Sequence, residues 1–221
     1  MSITQDVSTR KAAIRAALKR RQANPLPVME QFYTLQGEGI WTGTPAYFVR
    51  LAGCDVGCHW CDVKASWMPR DEQYLDVAEI TARALASGTR RVVITGGEPT
   101  VYDLSLLTDA LHAAGLIVHM ETAGPHPYSG EIDWICFSPK KFLPPQDIYY
   151  DLAHELKVVI YHEGDLAWAE EHAARVSAHT QLFLQPEWSR RERITPLLID
   201  YVKRHPQWRL GQQTHKYLDI P

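Results

Sequence analysis

The 221-residue sequence contains no apolar run close to the roughly 20 residues that a membrane-spanning helix needs. It also lacks an excess of positive charge, because 23 Lys and Arg residues stand against 26 Asp and Glu residues, a formal net charge of −3. Proteins that grip nucleic acid through its phosphates usually carry a basic field. No apolar signal-peptide core stands at the N-terminus. We therefore expect a cytoplasmic protein that binds neither membranes nor nucleic acid.

Cysteine is scarce as well, since the chain has only four. Three of them, Cys54, Cys58 and Cys61, lie within eight positions of one another. A disulfide scaffold would spread its cysteines across the fold and would favour even numbers. Three clustered thiols instead indicate a metal site in a reducing compartment. The fourth, Cys136, lies in the apolar run 132–137, which predicts a buried strand residue.

The N-terminal segment differs from the rest of the chain. Residues 8–23 place six Arg and Lys residues around Ala and Leu, a pattern that predicts a short basic amphipathic helix. An organelle transit peptide is an alternative interpretation, although the segment lacks the usual serine richness. Residues 24–27, with two prolines, then break the helix. We expect an N-terminal basic helical extension over residues 1–27 and one folded domain over residues 28–221.

After residue 27, short apolar segments alternate with segments of helical periodicity. The predicted strands are residues 46–51, 92–94, 116–120, 134–137, 156–160 and 181–184. The predicted helices are residues 76–86, 104–114, 165–178 and 191–204. Such alternation indicates an α/β fold with a parallel sheet and right-handed crossovers. About six strands are too few for a closed eight-stranded barrel, so we expect a partial, open βα barrel.

The cysteine motif is Cys-x3-Cys-x2-Cys, in a loop directly after the first predicted parallel strand. Thiolates favour Zn²⁺ or iron–sulfur clusters. A structural zinc site needs four protein ligands, and His59 lies between two cysteines, where it reaches the same ion only awkwardly. Three thiolates on a [4Fe–4S] cubane leave one iron open for another ligand. An electron carrier and a zinc-binding interaction module remain alternatives, but neither needs an open iron.

A glycine-rich turn, residues 95–99 with the sequence Thr-Gly-Gly-Glu-Pro, follows the second parallel strand. Together with the cysteine motif and the aromatic Trp60 before its third cysteine, this turn resembles the radical S-adenosylmethionine (SAM) superfamily. The resemblance implies that SAM binds the open iron and that the turn binds its methionyl amine through backbone carbonyls. Electron transfer from the cluster would then yield a 5′-deoxyadenosyl radical that takes hydrogen from a substrate.

Flanking motifs narrow the resemblance within this superfamily. They are residues 32–39, Arg50, residues 137–140, residues 184–187 and residues 213–221. In this order they resemble the 7-carboxy-7-deazaguanine synthase family of queuosine biosynthesis, over about residues 28–221. That family converts 6-carboxy-5,6,7,8-tetrahydropterin into 7-carboxy-7-deazaguanine and releases ammonia. The resemblance implies that the radical removes hydrogen from C6, that the ring contracts, and that SAM is regenerated.

The resemblance also implies roles for individual residues. Arg50 would clamp the pterin carboxylate, and Thr95 would touch the reacting substrate. The remaining substrate contacts would be Leu35, Gln36, Gly37 and the chain-terminal carboxylate of Pro221. SAM would lie against Trp60, Cys61, Asp62, Gly97, Ser138, Pro139, Lys140, Gln185, Pro186, Glu187 and Trp188.

Several of these roles have a physical basis and a simpler alternative. The planar guanidinium of Arg50 suits a carboxylate, although a salt bridge to Glu38 or Asp62 would also account for it. Gln36 and Glu38 offer the amide and carboxylate groups that a pterin ring needs, although a solvated loop would carry them equally well. Among the histidines, His119 either faces the site or packs in the core. His215 is expected to position the C-terminus.

One position departs from the family pattern. The residue two positions after the third cysteine is usually a threonine whose hydroxyl helps to hold Mg²⁺, and here it is Val63. Mg²⁺ keeps oxygen ligands, and valine has none. Water could replace the hydroxyl, Asp62 could adapt, or the enzyme could work without a tightly bound ion. We therefore expect a weaker dependence on Mg²⁺ than is usual in the family.

The nearest enzymatic alternative is an activating enzyme for a glycyl-radical protein, which also has a short chain with Cys-x3-Cys-x2-Cys. It would bind a protein backbone instead of a pterin, and the motif at residues 35–39, Arg50 and the tail 214–216 favour the pterin. The resemblance also implies a flavodoxin-type reductant and a homodimer.

Overall fold

The computed structural model describes residues 24–221. The predicted N-terminal helix over residues 8–23 lies outside these described residues. The division of the chain at residue 27 therefore stays a prediction. The first described strand already begins at Leu26.

One mixed sheet of nine strands organises the described residues. The strands are β1 (Leu26–Leu35), β2 (Pro45–Leu51), β3 (Tyr74–Leu75), β4 (Arg91–Gly96), β5 (Ile117–Thr122), β6 (Trp134–Phe137), β7 (Glu155–Ile160), β8 (Gln181–Pro186) and β9 (Trp208–Leu210). Their order across the sheet is β3-β1-β2-β4-β5-β6-β7-β8-β9. All pairs from β2 to β9 are parallel, whereas β1 runs antiparallel to both β2 and β3. The sheet is open, as the sequence predicted.

Six α-helices connect or follow these strands in the described part of the chain. They are α1 (Val77–Ala86), α2 (Ser105–Ala113), α3 (Ile148–Leu152), α4 (Asp165–Ala173), α5 (Arg191–Arg204) and α6 (Thr214–Leu218). The longer helices bury a stripe at helical spacing; α1 buries Val77, Ile80 and Ala84. None of the described helices is long and apolar enough to cross a membrane.

The two faces of the sheet have different neighbours because side chains alternate along each strand. On one face, Val92 and Ile94 of β4 join the main apolar core with the helix residue Ile80. On the other face, Val93 packs with Phe48 and Phe32 in a smaller cluster. Farther along the same strands, this second face continues into the wall of a cavity.

The six predicted parallel strands correspond to β2 and β4 to β8. The sequence did not reveal β1, β3 and β9. Strand β1 is fully buried only over its first three residues, so it lacks a sustained apolar pattern, and β3 and β9 are only two and three residues long. The predicted helix 165–178 ends earlier, at Ala173. Helices α3 and α6 have five residues each, too few for a clear periodicity.

Candidate active site at the carboxyl edge of the sheet

A cavity of about 380 Å³ opens where the parallel strands end. Its wall is built from the loops after β2, β4, β6 and β8, from the loop after β1, and from the C-terminal segment. The carboxyl ends of parallel strands meet at one edge, so residues far apart in sequence converge there. Its volume lies within the range of roughly 300–1,000 Å³ that is usual for small-molecule sites.

The three thiols Cys54, Cys58 and Cys61 all line this cavity. Cys54 and Cys58 are buried, while Cys61 is half-buried. Burial raises the pKa of Cys54 to about 12 and that of Cys58 to about 11. Since metals bind the thiolate form, loading this site would release protons.

The glycine-rich turn packs directly against the start of the cysteine loop. The backbone N–H of Gly97 donates to the carbonyl of Leu51 (2.9 Å), and that of Glu98 donates to the carbonyl of Gly53 (2.8 Å). A Cβ atom at Gly97 would lie 2.3 Å from the Gly53 oxygen, and Gly96 has a φ of +141°. Only glycine fits both positions, so the two motifs form one rigid unit.

The side chain of Glu98 holds this unit to the neighbouring strand β5. One carboxylate oxygen accepts hydrogen bonds from the backbone and hydroxyl of Thr100 (3.1 and 2.8 Å) and from the hydroxyl of Thr122. The other accepts from the backbone N–H of Ala123 (2.8 Å). Glu98 is only 2% exposed, and four donors satisfy its charge. Its role in the turn is therefore structural.

The surroundings of the thiols fit an iron–sulfur cluster better than a zinc ion. Val56 and Ala123 pack on Cys54 and Cys58 and give the site an apolar shell. Among the described residues, no three Cys, His, Asp or Glu side chains converge where they could hold one ion. A cubane does not require such convergence, because each thiolate binds a different iron. His59 is exposed and packs edge-on against Phe142 and Tyr161, so it does not complete a zinc site.

Most residues expected to contact SAM line the same cavity. These are Trp60, Cys61, Asp62, Gly97, Ser138, Lys140, Gln185, Pro186, Glu187 and Trp188. Pro139 does not line it; it is buried between two residues that do. The Gln185 oxygen Oε1 is buried without a hydrogen-bond partner among the described residues. This oxygen has no exposed surface and lies beside Gly211, so it does not itself mark a contact with a ligand in the cavity.

Arg50 and Thr95 are register partners on the adjacent parallel strands β2 and β4, and both line the cavity. Arg50 Nε forms a 2.6 Å salt bridge with Glu30, on the antiparallel strand β1. The alternative partners Glu38 and Asp62 were wrong, because each pairs with a lysine instead. The sequence could not indicate Glu30, since strand β1 and its pairing with β2 were not predicted. The Arg50 side chain is 20% exposed, so a ligand in the cavity can reach it.

The loop after β1 is not a solvated loop. Gln36 is 7% exposed, donates to Glu121 Oε1 (3.0 Å) and accepts the backbone N–H of Glu38 (3.1 Å). Lys157 Nζ donates to Glu38 Oε2 and to Glu121 Oε2, the latter at 3.1 Å. Burial alone would raise the pKa of Glu38, but the charge and hydrogen bond of Lys157 lower it to about 2. Burial opposes the charge of Lys157, yet the neighbouring carboxylates hold its pKa above the usual value.

The C-terminal segment closes one side of the cavity. The backbone N–H of Thr214 donates to the Gly37 carbonyl (2.9 Å), and a Cβ atom on Gly37 would lie 2.2 Å from the His215 ring. Lys216 forms a 2.5 Å salt bridge with Asp62 of the cysteine loop. Pro221 is exposed but also lines the cavity. The segment thus joins the loop after β1 to the cysteine loop.

The residues near Val63 do not fit a tightly bound Mg²⁺. Val63 lines the cavity without offering a side-chain oxygen. Burial would raise the pKa of Asp62, but the hydrogen bond and charge of Lys216 lower it. Asp62 is thus an ionised carboxylate that already has a cation as its partner. The side chains of residues 62 and 63 therefore leave Mg²⁺ no oxygen-bearing group that is free of a cation partner.

Two charged residues of the cavity were not predicted from the sequence, Glu121 and Lys157. The signal for Lys157 was a charged side chain within the otherwise apolar strand 156–160. His119, for which two interpretations were open, lies away from this cavity. It is 4% exposed and sits between Trp41 and Trp134. Cys136 is a buried strand residue on β6, as predicted.

Comparisons with known proteins agree with this geometry. The profile of the radical SAM superfamily matches residues 48–140. The 7-carboxy-7-deazaguanine synthase of Flavobacterium psychrophilum is 52% identical over 200 residues, covering 89% of this chain and 93% of the relative. The synthase of the same name from Synechocystis sp. is 45% identical over 194 residues, covering 88% of this chain and 93% of the relative.

A solved structure has the same fold. The crystal structure of QueE from Escherichia coli superposes with a TM-score of 0.78 at 32% sequence identity. The match covers 90% of this chain and 98% of the solved chain.

Proposed function

This chain belongs to the 7-carboxy-7-deazaguanine synthase family of radical SAM enzymes, and we propose that its carboxyl-edge cavity carries out that family's reaction. The substrate is 6-carboxy-5,6,7,8-tetrahydropterin, and the products are 7-carboxy-7-deazaguanine and ammonia. The observation that carries this proposal is that one cavity is lined both by the three thiols and by the Arg50–Thr95 pair.

Radical SAM enzymes contain a [4Fe–4S] cluster and use SAM, and in this chain Cys54, Cys58 and Cys61 would hold the cluster. When bound, the cluster and SAM supply a carbon-centred radical that takes hydrogen from the substrate. The chain binds and orients SAM through Trp60, Cys61, Asp62, Gly97, Ser138, Pro139, Lys140, Gln185, Pro186, Glu187 and Trp188. The shared cavity wall and the rigid Gly97 turn support this assignment.

The opposite part of the cavity binds the pterin. Arg50 clamps its carboxylate through the guanidinium atoms that the Glu30 salt bridge does not use, and Thr95 lies beside Arg50 in register. The remaining contacts are Leu35, Gln36, Gly37 and the carboxylate of Pro221. Arg50 lies in one part of the cavity, and the half-buried carboxylates of Glu38 and Glu121 lie in another. The cavity can therefore orient a ligand that carries an acid and an N–H-rich ring.

We also propose that this enzyme depends only weakly on Mg²⁺, because Val63 has no oxygen and Asp62 is paired with Lys216. The proposed reductant is a flavodoxin-type protein, and the proposed assembly is a homodimer. These two partners rest on family resemblance.

The test is an anaerobic reaction of reconstituted protein with SAM, a reductant and 6-carboxytetrahydropterin, followed by mass spectrometry. We expect 7-carboxy-7-deazaguanine in many-fold excess over SAM consumed. If 5′-deoxyadenosine forms without this product, the chain is a radical SAM enzyme with a different substrate. A glycyl-radical activating enzyme would give that second result.

A further inference from the structure

Three charged residues, the buried Lys157 and the half-buried Glu38 and Glu121, meet in the cavity from three distant parts of the chain. Glu38 follows strand β1, Glu121 is on β5 and Lys157 is on β7. All three line the cavity, and their side chains are 12%, 21% and 7% exposed, respectively. The single ammonium group bonds one oxygen of each carboxylate. We name this set the Glu–Lys–Glu cluster.

The other oxygen of each carboxylate accepts a hydrogen bond from a side-chain amide. Gln213 Nε2 donates to Glu38 Oε1 (3.0 Å), and Gln36 Nε2 donates to Glu121 Oε1 (3.0 Å). The ammonium and the two amide groups can only donate in these contacts, so each of the four carboxylate oxygens must accept a hydrogen bond. The pattern therefore matches two ionised carboxylates and one ammonium, which leave a single net negative charge in a buried place.

We propose that Lys157 is a positioning residue that keeps Glu38 and Glu121 ionised together, so that both accept N–H groups from the pyrimidine edge of the pterin. The proposal rests on the pterin assignment made above. That edge presents a ring N–H and an amino group, which donate hydrogen bonds. A neutral carboxyl group would present a hydrogen of its own toward one of these donors.

The need for a cation follows from the partial burial of both acids and from their closeness, since both reach the same ammonium group. Two carboxylates that share a desolvated site cannot both stay ionised near neutral pH without a compensating charge, and one of them takes up a proton. The pKa of about 2 for Glu38 agrees with the effect of Lys157. Removing Lys157 alone would leave two acids facing each other, and substrate binding would then depend on expelling a proton.

Other ionisable groups face the cluster and must be considered in a pH experiment. They are His215, Cys136, Glu155, Lys140 and Asp62. Burial lowers the pKa of His215 and raises that of Cys136, so both are neutral at mildly alkaline pH. The charge of Lys157 lowers the pKa of Cys136, Glu155 and Lys140, so these groups change in Lys157→Met as well. Lys157→Arg keeps that charge and is therefore the reference for them.

The experiment compares Lys157→Met with Lys157→Arg, which keeps the charge. The dissociation constant of 6-carboxytetrahydropterin is measured anaerobically on reconstituted, SAM-loaded but unreduced protein from pH 6.5 to 8.5. For Lys157→Met we expect weakening of at least about tenfold at pH 7, with recovery of up to about tenfold per pH unit as the pH rises. Lys157→Arg should follow the nearly flat wild-type profile. SAM affinity and iron content should be unchanged in both variants.

A weakened but pH-independent dissociation constant in Lys157→Met would overturn the proposal, since it would indicate a packing role. Calorimetry of the wild type in two buffers of different ionisation enthalpy provides a test that needs no variant. We expect no proton release when the pterin binds, because both carboxylates are already ionised. Release of close to one proton would overturn the proposal. If wild-type protein does not bind the pterin at all, the assigned substrate is wrong instead.

Discussion

The two edges of the parallel sheet both bury titratable groups, yet they are built differently. At the carboxyl edge, the loops leave a cavity of about 380 Å³ whose walls carry thiols, carboxylates and Arg50. Toward the amino edge, Arg91 lies 3.8 Å above the Trp41 ring, and His119 packs between Trp41 and Trp134. The void beside these residues is only about 10 Å³. A strongly shifted pKa, such as that of His119, therefore marks a packed group as readily as a functional one.

The largest expected effect separates the cysteines of the cavity from the cysteine of the core. Cys58→Ala should abolish assembly of the cluster, because one of three thiolate ligands is lost. The matched control is Cys136→Ala, whose thiol is buried on β6. We expect iron content and the visible absorption band to be retained in the control. Full iron content in Cys58→Ala would contradict the assignment of the cysteine motif.

A second pair of variants compares an arginine at each edge. Arg50→Ala should raise the dissociation constant of the pterin by roughly 30-fold, about 2 kcal/mol, because a charge-assisted contact is lost. Arg91→Met should lower stability and leave the dissociation constant unchanged, since the guanidinium of Arg91 lies over Trp41 and beside His119, away from the cavity. Equal pterin affinity in wild type and Arg50→Ala would show that Arg50 is not the clamp.

The pH dependence of stability tests whether His119 is packed as a neutral group at the amino edge. Burial and the charge of Arg91 lower its pKa from 6.5 to about 3, so the folded protein keeps it neutral while the unfolded chain binds a proton. Stability should therefore fall as pH drops from about 6.5 towards 3, by up to about 2 kcal/mol between pH 7 and pH 5. In His119→Gln, urea unfolding should show a smaller loss over this interval. An identical loss in both proteins would contradict the assignment.

The smallest effect concerns Mg²⁺. In the wild type, removal of Mg²⁺ should change the rate by no more than about twofold, because Val63 offers no ligand oxygen. Val63→Thr should bind the ion more tightly and show a larger ratio of rates with and without it. Steady-state assays across a magnesium titration measure this ratio. A wild-type rate that collapses without Mg²⁺ would contradict this prediction.

Contiguous motifs of the site could be predicted from the sequence, whereas residues that pair across strands could not. Cys54 to Cys61 and Gly96 to Glu98 are contiguous motifs, so both could be found in the sequence, the first by its spacing and the second by its resemblance to a known family. The Glu–Lys–Glu cluster is assembled from segments 36 to 119 positions apart, and only the sheet order brings them together. The Glu30 partner of Arg50 was likewise hidden, because strand β1 has no clear apolar pattern. Contiguous motifs are readable from sequence, whereas pairings across strands need the fold.

The central claim is that the thiols and the pterin contacts form one reaction cavity. It is tested most directly by running the reaction with 6-carboxytetrahydropterin that carries deuterium at C6. Mass spectrometry then measures deuterium in the SAM that is recovered. We expect deuterium in the adenosyl part of SAM together with formation of 7-carboxy-7-deazaguanine. Product that forms while the recovered SAM stays unlabelled would contradict it.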